Sequence, residues 1–350
     1  MDVPRLRLGV LDIGSHCAHL RIADLRPGEG PVPVRSVKSA VRLAEFTDCR
    51  GVIEPPAVGR LVGAVQEAAV AASACQVHEL LPLATSALRD ATNRDAVAAE
   101  VRAATGVSLG FLSGEQEAQL TFLAARRWYG WSAGPLLLAD IGGGSMELAY
   151  GAGEEPGIAL SLPLGAGRLT RHHLPGSPPV SKRWRKALRT HVRAVLTEAS
   201  AEIVEHPAPV RSVATSKTFS QLARLCGAPK GKAGAYAARR LNRRDLRGWI
   251  PRLAGMSNEQ RAELRGVRAS RAHQILAGAI VAEAIMDVLG LNSLDICPWA
   301  LREGIFLHRL DALTVGRPAG APFRSREGVE TLPPPIFVQP ERQLSVVSLP

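Results

Sequence analysis

The most constraining feature of the sequence is a strand pattern that ends in an Asp-x-Gly turn and occurs twice. One apolar run leads into residues 12–15, Asp-Ile-Gly-Ser, and another leads into residues 140–145, Asp-Ile-Gly-Gly-Gly-Ser. Apolar and polar residues alternate after each turn, which indicates a second strand and therefore a hairpin. Because Asp12 and Asp140 lie 128 residues apart, about one domain length, the repeat predicts two related domains.

Helical and strand-like patterns alternate along the rest of the chain. Apolar residues repeat at helical spacing over 58–72 and 184–203, and residues 271–290 read as a buried helix. Short apolar runs at 80–84 and 210–215 are typical of strands. Strands that alternate with helices of this length predict an α/β fold rather than a helical bundle.

The length of 350 residues favours two domains, because a single hydrophobic core rarely grows that large. We expect a first domain over residues 1–131 and a second over 132–314, each contributing one turn to a shared cleft. The last helix of the second domain, about 299–312, is able to pack back on the first. Residues 315–350 lose periodicity and are rich in proline, which predicts a disordered tail.

The composition excludes several functional classes. The most apolar stretch, residues 274–291, carries Glu283 and Asp287 and therefore indicates a buried helix rather than a membrane span. No secretory signal pattern is present, so we expect a cytoplasmic protein with no membrane partner. The net charge of +11 favours a polyanionic partner, although codon bias explains it equally well. No nucleic-acid-binding motif accompanies the charge, so nucleic acid is not an expected partner.

Glycine-rich turns after strands suit phosphate, because backbone N–H groups can approach the oxygens while a nearby Asp or Ser holds a cation. A Walker loop and a dinucleotide fingerprint both open helices, whereas both turns here open strands. Residues 143–147 resemble a nucleophile elbow except at the last position, where Glu147 replaces the required glycine. The pattern therefore favours phosphate chemistry without a serine nucleophile.

A capping-box pattern precedes a helix that carries a candidate general base. Ser113 and Gln116 have the spacing of a capping box, so Glu117 falls in the first helical turn. Glutamates in that position usually only complement the helix dipole. The same dipole favours an ionised carboxylate, which is the form needed to orient an attacking water.

Five separated motifs, taken together, resemble the exopolyphosphatase and guanosine pentaphosphate phosphatase family, Ppx/GppA. They are residues 12–15, 84–89 (Ala-Thr-Ser-Ala-Leu-Arg), 113–118 (Ser-Gly-Glu-Gln-Glu-Ala), 140–147 and 301–304 (Leu-Arg-Glu-Gly). The chain is especially similar to the short actinobacterial exopolyphosphatases at residues 127–134, 161–170 and 296–304. No His-Asp dipeptide occurs, so the extra metal-dependent domain of longer members is not expected.

This resemblance implies an actin-like ATPase fold (ASKHA, ribonuclease H-like) with the active site between the domains. By the same resemblance, Glu117 is the general base, with Glu115 the less favoured carboxylate. Asp12 and Asp140 would hold Mg²⁺, for which Mn²⁺ could substitute, and Glu147 would support activity. A homodimer is implied by the resemblance alone. The phosphate-binding residues implied are Gly14, Ser15, His16, Arg89, Gly142, Gly143, Gly144 and Ser145.

Two positions bear on the substrate. His16 stands where the family usually has asparagine, and histidine supplies comparable donors fully only when protonated. Lys217 stands where nucleotide-binding relatives have a glycine-rich turn, which favours inorganic polyphosphate over a nucleotide. Three alternatives stay open: hydrolysis of guanosine pentaphosphate, a non-catalytic regulator that binds polyphosphate or alarmone, and, more weakly, an ATP-dependent kinase.

Overall fold

The computed structural model describes residues 5–176, 178–314, 322–325, 328–331 and 335–337. Two units make up the chain, the first containing residues up to Leu112 and from Ile305 onward, and the second Ser113–Gly304. The boundary predicted after residue 131 lies inside the second unit. Each unit is built on a mixed sheet with helices, so the predicted α/β class is confirmed.

The first unit is centred on a six-stranded sheet in the order β14-β4-β1-β2-β3, with β5 paired to β4. Strands β1 and β2 form an antiparallel hairpin, and β4 runs parallel to β1. Parallel pairing brings the carboxyl ends of β1 and β4 to one edge of the sheet. The strands are β1 (Leu6–Ile13), β2 (Cys17–Leu25), β3 (Val32–Ala40), β4 (Glu79–Ala84), β5 (Gly110–Phe111) and β14 (Ile336–Phe337).

Three helices complete the first half of this unit: α1 (Pro55–Ala74), α2 (Ser86–Arg89) and α3 (Arg94–Thr105). Helix α1 starts with two prolines, which suit the first helical turn because their missing N–H groups would have no intrahelical partner there. Helix α3 ends at Gly106, whose φ of 72° is easily adopted by glycine. The apolar stripes of α1 and α3 pack on the sheet in one core.

The second unit contains a six-stranded sheet in the order β10-β11-β9-β6-β7-β8. Strands β6 and β7 form the second predicted hairpin, and β9 is parallel to both β6 and β11. The carboxyl ends of β6, β9 and β11 therefore share one edge. The strands are β6 (Leu136–Ile141), β7 (Met146–Gly151), β8 (Ile158–Leu162), β9 (Arg211–Ala214), β10 (Arg240–Asn242) and β11 (Ser293–Ile296).

Helices cover both faces of the second sheet. Helix α4 (Gly114–Tyr129) packs on one face, where its Ala118 and Phe122 meet Leu138 and Ala149. The opposite face carries Ile141, Met146 and Leu148 of the hairpin and most of the other helices. These helices are α5 (Ala166–His173), α6 (Lys182–Ala199), α7 (Ala201–Glu205), α8 (Ser216–Leu225), α9 (Arg243–Gly255), α10 (Asn258–Glu263) and α11 (Ile275–Val288).

Two predicted helices differ in extent from the structure. The helix expected over 184–203 is divided at Ser200 into α6 and α7. The helix expected from residue 271 begins with a 3₁₀ segment, Ala269–Gln274, and becomes α-helical only at Ile275. Neither change disturbs the apolar stripe, because the buried positions continue through both segments.

The last helix, α12 (Leu301–Thr314), begins in the second unit and belongs to the first from Ile305 onward. Most of the tail predicted to be disordered lies outside the described residues. Its described parts form a two-stranded sheet, β12 (Pro322–Ser325) with β13 (Gly328–Thr331), and the short strand β14. No helix of the described chain combines the length and apolar character needed to cross a membrane.

Candidate active site

The two Asp-x-Gly turns close their hairpins with the same hydrogen bond. The N–H of Gly14 donates to the carbonyl of Cys17 at 3.1 Å, and the N–H of Gly142 donates to the carbonyl of Ser145 at 2.9 Å. Each turn thus spans four residues between antiparallel strands. The sequence repeat therefore corresponds to a repeat in local structure.

A second recurrence accompanies the turns and could have been read from the sequence. The tripeptide Ala-Thr-Ser stands at residues 84–86 and again at 214–216, and each time its alanine ends a strand parallel to the first strand of the hairpin. The backbone N–H of Thr85 donates to the carbonyl of Ile13 at 3.1 Å, and that of Thr215 donates to Ala139 at 3.0 Å. Each threonine therefore joins the start of a helix to the hairpin strand beside it.

In the second unit, strand register places a row of polar side chains on one face. Asp140 pairs with Glu147, and Glu147 pairs with Ser161 on the next strand. Paired residues of neighbouring strands point to the same face, which here is the face covered by α4. The Ser161 hydroxyl donates to Glu147 Oε1 at 3.0 Å, and the Thr215 hydroxyl donates to Asp140 Oδ2.

Helix α4 carries Glu117 towards the same edge of the sheet. Near its other end, the guanidinium of Arg126 donates to the carbonyls of Gly134 and Gly151, which border the amino end of β6. Nine residues of α-helix span about 13.5 Å, comparable to the length of β6, so Glu117 lies towards the edge where Asp140 stands. Glu117 is 7% exposed, which makes it a buried carboxylate in the first turn of α4.

The capping box predicted at Ser113 is confirmed. The Ser113 hydroxyl accepts from the N–H of Gln116 at 3.1 Å, and the Gln116 side chain accepts from the N–H of Ser113 at 2.9 Å. This reciprocal pair fixes the first turn of α4 and with it the backbone of Glu117. Glu115, in the same turn, is more exposed than Glu117.

The glycine turn of the second unit, residues 142–145, packs against the start of α5. The N–H of Ala166 donates to the carbonyl of Gly142 at 3.0 Å, and the N–H of Arg168 donates to that of Gly143 at 2.9 Å. A Cβ on Gly165 would lie 2.5 Å from the amide nitrogens of Gly144 and Ser145, so only glycine fits there. Two carbonyls of the turn are therefore fixed by α5.

Unlike two of its carbonyls, three of the amide N–H groups of this turn have no backbone partner among the described residues. Within the described chain, the N–H groups of Gly143, Gly144 and Ser145 donate to no backbone carbonyl. Three consecutive amides without a backbone acceptor are available to donate to the oxygens of a ligand, and the two glycines leave room for a close approach. Gly167 also packs against this turn. A Cβ added at Gly167 would lie 3.0 Å from the Gly143 carbonyl oxygen and 2.9 Å from the side-chain oxygen of buried Gln274.

The first unit places its predicted residues around the end of β1. Ser15 and His16 are buried, and their carbonyls accept backbone N–H groups from residues 41–44. Asp12 is half-buried on β1. Arg89 lies at the end of α2, where its Nη1 donates to the Leu112 carbonyl at 2.9 Å and its Nε to Asp90 at 3.0 Å. These contacts fix the guanidinium beside the segment that leads to α4.

Lys217 is exposed in the first turn of α8, at the edge of the sheet that carries Asp140. The preceding residue, Ser216, has a φ of 72°, a backbone conformation that non-glycine residues rarely adopt and that tends to occur at functional sites. Cys297 also follows a strand at this edge, but burial raises the pKa of its thiol to about 12. Cys297 is therefore a protonated thiol near neutral pH and not a nucleophile.

Several residues of the site carry no local sequence pattern that predicts them. Ser161 and Gly165 lie in the segment 161–170 noted for its resemblance, but only strand register and packing give them a place in the site, and Gln274 has its place through burial against Gly167. Thr215 could have been found from the repeated Ala-Thr-Ser tripeptide. Of the predicted residues, the second unit brings Asp140, Glu147 and the glycine turn to one edge of its sheet.

Both units follow the plan of an actin-like α/β protein, in which a hairpin with an Asp-x-Gly turn lies beside parallel strands. The solved structure of an exopolyphosphatase from Cytophaga hutchinsonii has this fold: it aligns with a TM-score of 0.79 at 23% identity, covering 90% of this chain and 100% of that one. The predicted actin-like class is thereby confirmed. A model of the Ppx/GppA phosphatase family matches residues 21–313, and the chain belongs to this family.

Relatives within the family differ in their named substrates. Exopolyphosphatase 1 of Mycobacterium tuberculosis is 50% identical over 307 residues, covering 88% of this chain and 89% of the relative. A guanosine-5'-triphosphate,3'-diphosphate pyrophosphatase of Aeromonas hydrophila is 27% identical over 296 residues, covering 84% of this chain and 58% of the relative. The resemblance to short actinobacterial exopolyphosphatases is confirmed by the first of these.

Proposed function

We propose that the protein is an exopolyphosphatase, a hydrolase that releases the terminal phosphate of inorganic polyphosphate. The observation that carries this proposal is the Gly143–Ser145 turn, whose three N–H groups lack backbone acceptors within the described chain. Asp140 and Glu147 flank this turn on paired strands. The 50% identity with Exopolyphosphatase 1 of Mycobacterium tuberculosis supports polyphosphate as the substrate class.

Glu117 is proposed as the general base. Hydrolysis requires a water molecule to attack the terminal phosphorus while the phosphoanhydride bond to the rest of the chain breaks. In this step, Glu117 accepts a proton from the water, and the shortened polyphosphate leaves with the bridging oxygen. Glu117 lies in the first turn of a capped helix, where the helix dipole stabilises a nearby anion.

The remaining residues neutralise and orient the phosphates. The amides of Gly143, Gly144 and Ser145 donate to phosphate oxygens, and Gly142 shapes the turn. In the first unit, Gly14, Ser15 and His16 would form the equivalent turn, and Arg89 would donate to a phosphate oxygen. Lys217 adds a positive charge at the edge that carries Asp140. These groups supply the positioning and charge compensation on which phosphoryl transfer depends.

We propose magnesium as the cation. In the part of the chain that the structure describes, no three His, Cys, Asp or Glu side chains form a compact metal cluster. Magnesium suits such a chain, because it usually binds through one or two carboxylates and keeps waters and substrate phosphates as its other ligands. Asp140 in the second unit and Asp12 in the first are each proposed as a carboxylate ligand of the ion, which when bound neutralises phosphate charge; Mn²⁺ has the same ligand preference.

A guanosine pentaphosphate phosphatase is the second candidate, supported by the named activity of the Aeromonas hydrophila relative. The two functions are separated by measuring phosphate release from long-chain polyphosphate and from guanosine pentaphosphate at equal concentrations. We expect a higher kcat/KM with polyphosphate. A strong preference for the nucleotide would replace the first function with the second, and no release from either substrate would favour a non-catalytic regulator.

His16 gives a separate test of the phosphate-binding turn in the first unit. The side chain is buried, and its backbone carbonyl is held by the N–H groups of Val41 and Arg42. Asparagine offers an amide donor at any pH, so His16→Asn should preserve or raise phosphate release. Complete loss of release in this variant, with unchanged folding, would show that the imidazole itself is required.

A further inference from the structure

A pocket lined by arginines lies in the second unit. Its volume is about 670 Å³, within the range of small-molecule sites. Strand β10, helix α9 and the loop before β11 line it, and all of its lining residues except Arg243 are exposed, so it is an open depression of the surface. The lining residues are Asn242, Arg243, Arg244, Asp245, Arg247, Gly248 and Asn292.

The charge of this pocket is only partly compensated. The guanidinium of Arg243 donates to Asp287 at 3.1 Å and thereby ties α9 to α11. The carboxylate of Asp245 accepts from the side-chain amide of Asn242 at 3.2 Å. Among the described residues, the side chains of Arg244 and Arg247 have no hydrogen bond or ion pair, and their spacing of three places them on one side of α9. The lining therefore carries two guanidinium groups without an ion pair, together with one carboxylate, Asp245, whose charge the neutral Asn242 amide does not cancel.

Strand register separates the pocket from the edge that carries Asp140. Asn242 pairs with Ser293 at the amino end of β11. Through β9, that end of β11 is level with Leu136, the first residue of β6. Asp140 stands four residues further along β6, roughly 13 Å in the strand direction, at the opposite edge of the sheet. The pocket is thus a separate site on the same unit.

We propose that the arginine pocket is a second anion site, which binds a chain of at least two linked phosphates. Guanidinium groups bind phosphate through paired, charge-assisted hydrogen bonds, and two of them three residues apart can hold neighbouring phosphates. A single phosphate would leave one guanidinium unused. The preference for linked phosphates rests on the proposed function, which supplies such chains as substrate or product.

The pocket is tested by isothermal titration calorimetry of the full chain with inorganic tripolyphosphate, in EDTA so that no hydrolysis occurs. The double variant Arg244→Ala/Arg247→Ala should raise the Kd for tripolyphosphate about tenfold or more. The control Lys38→Ala/Arg102→Ala removes two exposed charges from the first unit and should bind like the wild type. Unchanged binding in the arginine variant would overturn the proposal, as would equally tight binding of inorganic monophosphate.

Two further arms complete the test. Titration with guanosine triphosphate distinguishes an inorganic phosphate chain from the phosphate chain of a nucleotide. If the arginine variant loses binding of both ligands, the linked phosphates are the recognised group. The ligand that binds the wild type more tightly then identifies the natural source. The kcat for phosphate release from polyphosphate should stay within twofold in the arginine variant. Absence of release in the wild type would refute the proposed function but not the arginine pocket, because binding to the pocket is measured without hydrolysis. If the alanine variant does not fold, Arg244→Lys/Arg247→Lys should weaken binding at least threefold, and unchanged binding would contradict the proposal.

Discussion

Replacing Gly165 with alanine should disable the glycine turn without touching any group that bears charge. The added Cβ would lie 2.5 Å from the amide nitrogens of Gly144 and Ser145, and closer still to the carbonyl carbon of Gly144. All three contacts are with backbone, which cannot rotate away as a side chain can. The turn or the start of α5 must therefore move by about 1 Å to reach ordinary van der Waals separation.

The size of the effect follows from that displacement. Overpacking a buried position costs about 1–3 kcal/mol of unfolding free energy. A misplacement of about 1 Å in a group that binds the reacting phosphate lowers the rate roughly 100-fold. We therefore expect Gly165→Ala to lower kcat for phosphate release about 100-fold while the protein remains folded.

The assay is phosphate release from polyphosphate at saturating magnesium, together with urea unfolding of the same preparations. Gly255→Ala is the matched control, because a Cβ at Gly255 would meet no heavy atom within 4 Å. The control should keep the wild-type rate and stability. If Gly165→Ala released phosphate within threefold of the wild-type rate despite lower stability, the glycine turn would not be part of the reaction.

Two further predictions concern the first unit. The hydrogen bonds from Arg7 lower the pKa of Asp24 to about 2 from 3.8, so Asp24→Asn should lower the unfolding free energy at pH 7 by about 1–2 kcal/mol. This difference should fade as the pH falls from 3.8 to 2, measured by urea unfolding at several pH values. Arg309 donates to both oxygens of buried Glu79, so Arg309→Leu should cost about 3–5 kcal/mol by urea unfolding. Glu79→Leu with Arg309→Leu should restore most of this loss, and no recovery would contradict the buried-charge explanation.

Local chemistry explains why the sequence predicted the hairpins and the start of α4. Asp and Gly both favour turns through local backbone effects, and the Ser113 and Gln116 pair forms its hydrogen bonds within four residues. Each of these signals depends only on neighbours in the chain, so the surrounding fold does not change its meaning.

Long-range register explains what the sequence did not predict. The pairing of Glu147 with both Asp140 and Ser161 depends on the alignment of three strands. The need for glycine at position 165 arises from contact with a turn twenty residues away. The predicted helix is also divided at Ser200, although no glycine or proline stands at the break. Such features become visible only when the elements are packed.

The central claim, that Glu117 activates the attacking water, is tested by measuring magnesium-dependent phosphate release in Glu117→Gln. Glu115→Gln is the matched control, because it removes the same charge from the same helical turn. Loss of a general base predicts a 100- to 10,000-fold lower kcat in Glu117→Gln, with KM little changed. Glu115→Gln should stay within threefold of the wild type. Equal rates in the Glu117→Gln variant and the wild type would contradict the account.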